Sequence, residues 1–148
     1  MLRRFEEFSY AISEIYHNIQ KIERDEMDKY GLKGPHAQYL VAMIRCPEGV
    51  TAAQLSELCD RDKAAVSRVM AEMEEKGLVT RTGSAYRAKL ALTELGQDAA
   101  DFVACRAEIA VLEAGKGLSD RDRIIFYDAL SRIATNLHTL SEDGLPEP

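Results

Sequence analysis

The stretch that decides the fold is TAAQLSELCDRDKAAVSRVMAEMEEKGLVTR, from Thr51 to Arg81. It holds two apolar patterns of helical period, separated by the four residues CDRD. The second pattern predicts an amphipathic helix over about 62–76, because its apolar residues recur at steps of three and four. Those residues are Val66, Val69, Met70 and Met73. A short helix, a tight turn and a second helix predict a helix-turn-helix.

Local signals mark the ends of these helices. TAAQ, from Thr51 to Gln54, is a capping box for the first helix. Either Asp60 or Asp62 can cap the second, and Gly77 follows it where glycine is favoured. Two short strands then follow, LVTR (78–81) and RAKLAL (87–92), joined by the turn TGSAY. The order predicts a winged helix-turn-helix.

The flanking sequence predicts helices on both sides. A first helix is expected over about 3–29, a second from Pro35 to about Arg45, a fifth over about 94–115 and a sixth after Ser119. The expected fold is mainly α with a small β-hairpin wing, in a single domain of residues 1–148. A winged helix-turn-helix lobe at 32–95 would join a helical dimerisation region made by the N- and C-terminal helices, 1–31 and 96–142.

The dimerisation region is expected from two apolar stripes. One runs from Phe5 to Ile22, and the other from Phe126 to Leu140. They lie at opposite ends of the chain and would expose too much apolar surface on a monomer. We therefore expect a homodimer.

The charge is unevenly distributed along the chain. The net charge is −6, which taken alone argues against a nucleic-acid partner. The segment from Arg61 to Lys89, however, contains seven basic and four acidic residues. It therefore carries a charge of 7 − 4 = +3, and the remainder of the chain carries −6 − 3 = −9. A basic segment on an acidic body suits a protein that docks double-stranded DNA with one part only.

The predicted recognition helix and wing supply the candidate DNA contacts. Small residues let a helix approach base edges in the major groove, and polar ones can hydrogen-bond to them. Basic side chains on the wing can reach phosphate or the adjacent minor groove. The DNA-binding candidates are Thr51, Lys63, Ala64, Ser67, Arg68, Arg81, Arg87 and Lys89. Local salt bridges remain the alternative for Arg81 and Arg87, and helix capping for Thr51.

Other functional classes find little support in the sequence. No apolar run approaches the roughly 18 residues that suggest a membrane span, and the N-terminus does not resemble a signal peptide, so we expect a cytoplasmic protein without a membrane partner. The three histidines lack ligand spacing, and no catalytic motif is present, so neither a metal, a cofactor nor an enzyme is expected. Cys46, Cys59 and Cys105 are expected to be reduced thiols, with a redox sensor as the alternative.

The sequence resembles the multiple-antibiotic-resistance regulator (MarR) family along nearly its whole length. The most specific stretches are Thr51 to Arg81 and RAKLALTELG, Arg87 to Gly96. The resemblance implies a homodimeric transcription regulator whose first, fifth and sixth helices interlock and whose two lobes bind a near-palindromic operator. It further implies repression, and release by a small phenolic or similar effector.

Two points stay open within that resemblance. Ala85 stands where the family's wing usually has an Asp two residues before its Arg, which puts the order of the wing in doubt. Four residues could line an effector pocket or simply pack in the core and dimer interface: Tyr16, Tyr39, Met43 and Phe102. The alternative function is a winged-helix dimer that acts as a protein-interaction module without binding DNA.

Overall fold

The computed structural model of the chain describes residues 2–83 and 87–146. Within them lie six helices and one hairpin: α1 (Leu2–Asp28), α2 (His36–Ile44), α3 (Ala52–Leu58), α4 (Lys63–Glu75), β1 (Val79–Thr82), β2 (Lys89–Leu92), α5 (Glu94–Ala114) and α6 (Asp120–Asp143). The predicted order and the mainly α class are confirmed, and most helix ends fall within a residue of their predicted places. The wing tip that contains Ala85 lies outside the described residues.

The predicted caps form as their sequence signals require. The Thr51 hydroxyl accepts from the Gln54 amide at 3.2 Å, and the Gln54 side chain accepts from the Thr51 amide at 3.0 Å. Asp62 caps α4 by accepting from the Ala65 amide at 2.9 Å. Asp60 instead lies in the turn with a φ of +49°, a conformation that Asp tolerates better than most residues. Pro35 takes the N-cap of α2 rather than its first helical position.

The core of the winged lobe lies under α4. Val66, Met70 and Met73 are fully buried there, on the face that the sequence predicts, and Val69 is half-buried beside them. Leu40 of α2, Leu55 of α3 and Leu90 of β2 are also fully buried, so the core draws on all four elements. This aliphatic packing fixes the orientation of α4 and therefore the direction of its outer face.

The wing is a two-stranded antiparallel sheet. Val79 pairs with Leu92 and Thr82 with Lys89, so the strands begin one or two residues later than the sequence predicts. Leu90 also exchanges two backbone hydrogen bonds with Val50, of 2.8 and 2.9 Å. This bridge attaches the wing to the segment before α3, so the hairpin is held to the lobe along the outer edge of β2.

Gly96 allows the fifth helix to approach the wing. A β-carbon there would lie 1.8 Å from the carbonyl oxygen of Leu78, which no side chain can accommodate. The Thr93 amide donates to that same carbonyl at 3.0 Å, and the Thr93 hydroxyl accepts from the Gly96 amide at 3.0 Å. The start of α5 is therefore packed directly against the wing and hydrogen-bonded to it.

The chain divides into two compact units, Met1–Glu108 and Ile109–Pro148. The first contains the winged lobe and α1, and the second contains the end of α5 together with α6. Within the second unit, Ser119 caps α6 by accepting from the Asp122 amide at 3.2 Å, as its sequence predicts. The Arg123 guanidinium donates to the Gly115 carbonyl at 2.9 Å and so caps the end of α5.

Candidate nucleic-acid interface

The outer face of α4 is built to be exposed. Because Val66, Met70 and Met73 face the core, the residues on the other side of the helix must face solvent. Four of the predicted DNA contacts lie on this exposed face, and all four are exposed: Lys63, Ala64, Ser67 and Arg68. Ala64 is small enough to let the helix backbone approach a base pair closely.

The polar side chains of this face are not engaged elsewhere in the lobe. Among residues 2–83 and 87–146, the side chains of Lys63, Ser67 and Arg68 take part in no hydrogen bond or ion pair. A surface cation held by a local carboxylate would have to exchange partners on binding phosphate. These side chains need no such exchange, so the face is available for a polyanion.

The three cations predicted on the wing lie in different surroundings. The Arg81 guanidinium binds both carboxylate oxygens of Glu74, at 2.7 to 3.1 Å. This hydrogen bonding raises the pKa of Arg81 above its ordinary value. Arg81 thus makes the local salt bridge that the sequence left as its alternative, and the pair ties β1 to the end of α4.

Arg87 and Lys89 are the more accessible cations of the wing. Both are exposed, and Arg87 has no side-chain hydrogen bond or ion pair within the described part of the chain. Among the described residues, the Lys89 side chain makes only a long contact of 3.5 Å from its Nζ to the Glu48 carbonyl oxygen. These two side chains are free to reach a phosphate backbone.

Thr51 is first of all a helix cap. Its hydroxyl accepts from the Gln54 amide at 3.2 Å and lies 3.1 Å from the Gln54 side-chain oxygen, to which it can donate. Thr51 is half-buried and its hydroxyl is engaged within the cap, so the capping role predicted for it is confirmed and a DNA contact from this residue stays a prediction.

The four candidate effector residues do not share one cavity. Tyr16 and Tyr39 both line a cavity of about 430 Å³ between α1, the start of α2 and α4. Met43 is a core residue with 2 % of its surface exposed. Phe102 packs edge to face against Tyr30, with ring centres 5.6 Å apart. Packing in the core and dimer interface was the stated alternative for these residues, and core packing describes Met43 and also Tyr39, which is 4 % exposed.

A second cavity, of about 500 Å³, lies between α1, α2, the end of α3 and α5. Its walls include Met27, Val41, Leu58 and Val103, and none of the four predicted effector residues lines it. Sequence reasoning missed this cavity because its walls come from four separate elements.

His36 is a buried polar residue at the start of α2, and it lies close to Glu72 of α4. It is 2 % exposed, its Nδ1 accepts from the Lys33 amide at 3.3 Å, and its Nε2 lies 3.7 Å from a Glu72 carboxylate oxygen. Burial lowers the pKa of His36, and the Glu72 carboxylate opposes part of that shift. Sequence reasoning weighed His36 only as a metal ligand, and it missed this role in packing.

Arg61 is a further cation that sequence reasoning counted but did not single out. It lies in the turn before α4 and lines the same cavity as Tyr16, Tyr39 and Arg68. Its position beside the recognition helix could have been inferred from the four-residue turn. Its approach to α1 could not, because that depends on how the helices pack.

Two further predictions concern the reactivity of the cysteines and the hydropathy of the helices. Cys46 and Cys59 are half-buried free thiols, and Cys105 is an exposed one. Burial raises the pKa of Cys59, which disfavours its reactive thiolate. Searching residues 2–83 and 87–146 finds no helix long and apolar enough to cross a membrane.

Together these features define a winged helix-turn-helix protein in which the outer face of α4 carries cations that are unpaired within residues 2–83 and 87–146. Residues 30–88 match the model of the MarR family. A MarR-family transcriptional regulator from Rhodococcus sp. RHA1 is 25% identical, with a TM-score of 0.73, over 87% of this chain and 93% of that one. The chain therefore has the winged-helix fold that MarR-family regulators have, and its central segment resembles that family.

Two similar structures were determined with DNA. A putative MarR-family regulator from Listeria monocytogenes, complexed with a 26mer DNA, is 22% identical, with a TM-score of 0.76, over 94% of this chain and 96% of that one. The S. aureus MepR–DNA complex is 16% identical, with a TM-score of 0.78, over 88% of this chain and 96% of that one. At these identities the likeness is one of fold. No functionally curated protein matches the sequence significantly.

Proposed function

We propose that this chain is a sequence-specific DNA-binding transcription regulator of the cytoplasm, and that it acts as a homodimeric repressor on a near-palindromic operator. The observation that carries the proposal is the exposed outer face of α4, where Lys63, Ser67 and Arg68 are unpaired within the described residues. Support comes from the two solved structures of the same fold that contain DNA.

Each part of the interface would have its own task. Arg68 and Ser67 would contact base edges in the major groove, with Ala64 allowing close approach. Lys63, near the start of α4, would bind phosphate together with the free amides of the helix N-terminus. Arg87 and Lys89 would hold the backbone beside the adjacent minor groove. Arg81 would contribute mainly by fixing β1 through Glu74, and Thr51 by capping α3.

The domain organisation follows from where apolar surface remains. Residues 32–95 would form the DNA-binding lobe, and residues 1–31 and 96–142 would form the dimerisation helices. Along α1, Phe5, Ile15 and Ile19 are each about half exposed or more, at 69%, 49% and 48%. Within the second unit, α6 has no buried residue, and Leu137 is 51% exposed. Monomeric proteins rarely expose contiguous apolar surface of this extent, and such surface marks a site that a partner covers.

A small aromatic or phenolic effector would release the operator. The cavity that Tyr16 and Tyr39 line is of a size typical of small-molecule sites, which span about 300–1,000 Å³. It reaches the recognition helix through Ala65, Arg68 and Val69. Binding there would act on the helix that contacts DNA.

A gel shift with the promoter region beside the protein's own gene tests the proposal. We expect a discrete complex that a scrambled duplex of the same length and composition does not compete away. If neither duplex is bound even at low salt, and random duplexes yield no selected sequence, the interaction-module alternative replaces the proposed function.

A further inference from the structure

A buried histidine connects the recognition helix α4 to the segment that joins α1 to α2. His36 is the first residue of α2 and is 2 % exposed. Its amide donates to the Lys33 carbonyl at 2.9 Å, and its Nδ1 accepts from the Lys33 amide at 3.3 Å, which closes a turn over residues 33–36. Its Nε2 lies 3.7 Å from a carboxylate oxygen of Glu72 on α4. One imidazole therefore contacts both the joining segment and the recognition helix.

The hydrogen bonds of His36 fix the charge of its ring in this arrangement. A ring nitrogen that accepts a hydrogen bond carries no proton, so the accepting Nδ1 leaves the proton on Nε2 and the ring neutral. In a protonated ring, Nδ1 would become a donor that faces another donor, the Lys33 amide. The turn over residues 33–36 can therefore keep this packing only while His36 is neutral.

The charged groups around His36 do not compensate a protonated ring. Burial is the largest cause of its lowered pKa, and the Lys33 and Lys76 ammonium groups lower the pKa further. The Glu72 carboxylate favours the charged ring, but it also lies 3.6 Å from the Lys33 ammonium. The other ionisable groups that line the cavity beside His36 are Tyr16 of α1, Tyr39 of α2, Arg61 and Arg68. None of these four carries a negative charge near neutral pH.

We propose that His36 is a pH-sensitive switch of the recognition helix: protonation of its imidazole opens the turn over residues 33–36, releases Glu72 and lowers the affinity for the operator. The inference rests on the proposed function, because it takes α4 to be the helix that binds DNA. Its sign is opposite to that of simple charge attraction, since added positive charge ordinarily strengthens binding to a polyanion. The switch can therefore be distinguished from that attraction.

Glu72 links the histidine to the face of α4 that is proposed to contact bases. Glu72 lies four residues after Arg68, so the two side chains are neighbours on one face of the helix. In the packed form, Glu72 lies close to Lys33 and His36, and Arg68 is unpaired within the described residues. Once the turn opens, Glu72 loses both neighbours and can pair with Arg68. That pair would withdraw Arg68 from the operator, so operator affinity falls more than affinity for other DNA.

The switch is tested by measuring affinity from pH 8 to pH 5 at one fixed salt concentration. The probes are the operator duplex identified by the gel shift and its scrambled counterpart. We expect operator affinity to be constant above about pH 7 and to fall below about pH 6.5, the ordinary histidine pKa. The fall should reach up to about tenfold per pH unit for each lobe, because each lobe takes up one proton. Affinity for the scrambled duplex should fall less.

Two variants separate His36 from other titrating groups in this experiment. His36→Gln removes the ring that titrates and should make operator affinity constant over the acidic part of the range. His17→Gln is the matched control, because His17 is an exposed histidine of α1, and it should leave the wild-type profile unchanged. Circular dichroism at each pH checks that the variants are folded.

An NMR titration of the free protein tests the same switch without replacing His36. The signals of the His36 ring and of the Lys33 amide should change with one shared midpoint. Glu72→Gln should move that midpoint to lower pH, because the carboxylate favours the charged ring. A contact with a merely structural role would leave the midpoint in place.

Several outcomes would overturn the inference. They are an operator affinity that stays constant or rises as pH falls, a decline that His36→Gln retains, and a Lys33 amide signal that does not follow the His36 ring. The last of these decides the matter if His36→Gln does not fold. Failure to bind either duplex at pH 8, where His36 is neutral, would instead contradict the proposed function.

Discussion

We propose that Arg68 is the side chain that determines the preference for the operator over other DNA sequences. It is exposed on α4 and unpaired within the described residues, whereas Arg81 is held by Glu74. The two arginines therefore lie in different surroundings. Sequence reasoning left a local salt bridge as the alternative for Arg81, but it could not name the partner, because Arg81 and Glu74 meet across the turn at Gly77 only once the wing has folded back on the helix.

The first prediction compares Arg68→Ala with Arg87→Ala. A bidentate arginine–guanine pair contributes about 1–3 kcal/mol of discrimination. Arg68→Ala should therefore lose preference for the operator but keep weak binding, while Arg87→Ala should weaken both duplexes more evenly. Fluorescence anisotropy with operator and scrambled duplexes at one fixed salt concentration measures both. If Arg68→Ala keeps its full specificity ratio, Lys63 or Ser67 becomes the better candidate for contacting bases.

His36 makes stability depend on pH. Its pKa is depressed in the folded state because it is buried, whereas in the unfolded chain it lies near the ordinary value of about 6.5. The unfolded state thus binds more protons between the two values, and stability falls as pH drops through that window. The contribution of His36 to stability is fully present above its pKa in the unfolded chain, and it is lost below its pKa in the folded protein.

The second prediction follows from this linkage. Between about pH 7 and pH 5, the wild type should lose stability, and His36→Gln should remove the part of that loss due to His36. Urea denaturation at each pH measures the effect. His17→Gln is the control, since His17 is an exposed residue of α1. An identical pH slope in the wild type and His36→Gln would show that His36 does not titrate on unfolding.

At the scale of elements, the caps decide where the recognition helix begins. Asp62 accepts from the Ala65 amide at 2.9 Å, while Asp60 makes the turn with its φ of +49°. The sequence left these two aspartates as alternatives, because each lies close enough to the helix start. The backbone conformation of the turn distinguishes them.

The third prediction concerns that cap. Asp62→Ala should destabilise the protein by about 1 kcal/mol, because the amide at the start of α4 loses its acceptor. Asp60→Asn should change stability little, since Asn also tolerates a positive φ. Thermal or urea unfolding of the two variants compares them. Equal losses would mean that charge rather than capping stabilises the helix start.

The sequence predicts local features of this protein better than distant contacts. The caps at Thr51 and Ser119 and the buried face of α4 follow from neighbouring residues, so the helices and the lobe could be predicted. The bridge between Val50 and Leu90, and the burial of Met43 away from Tyr16, depend on packing between separate elements. The outer face of α4 could be predicted because it lies opposite the buried apolar stripe of the same helix. The walls of the cavities could not be predicted, because they come from separate elements.

At the scale of the whole molecule, apolar surface and charge both point to partners. The stripe on α1 and the exposed side chains of α6 would each leave several large residues in water, at about 1.5–3 kcal/mol for each such side chain. The acidic remainder of the chain would repel DNA everywhere except at the basic lobe. Both features fit a dimer that presents two lobes to one duplex.

The fourth prediction is the oligomeric state. Sedimentation velocity at micromolar concentration should give a dimer, and Leu137→Glu should shift it toward monomer or unfold it, because a charge would enter the covered stripe. Ser141→Glu is the control, since Ser141 is an exposed residue near the end of the same helix. A stable folded monomer of the wild type at that concentration would contradict the dimer.

The central claim is that a basic lobe docks on DNA and that α4 distinguishes its sequence. The most direct test is the affinity for operator and scrambled duplexes between about 50 and 200 mM salt. About six to ten phosphate contacts across two lobes should lower both affinities by about 10³–10⁵ over that range. The operator should remain the tighter duplex at every salt concentration. Affinities that stay flat with salt, or that are equal for the two duplexes throughout, would contradict the account.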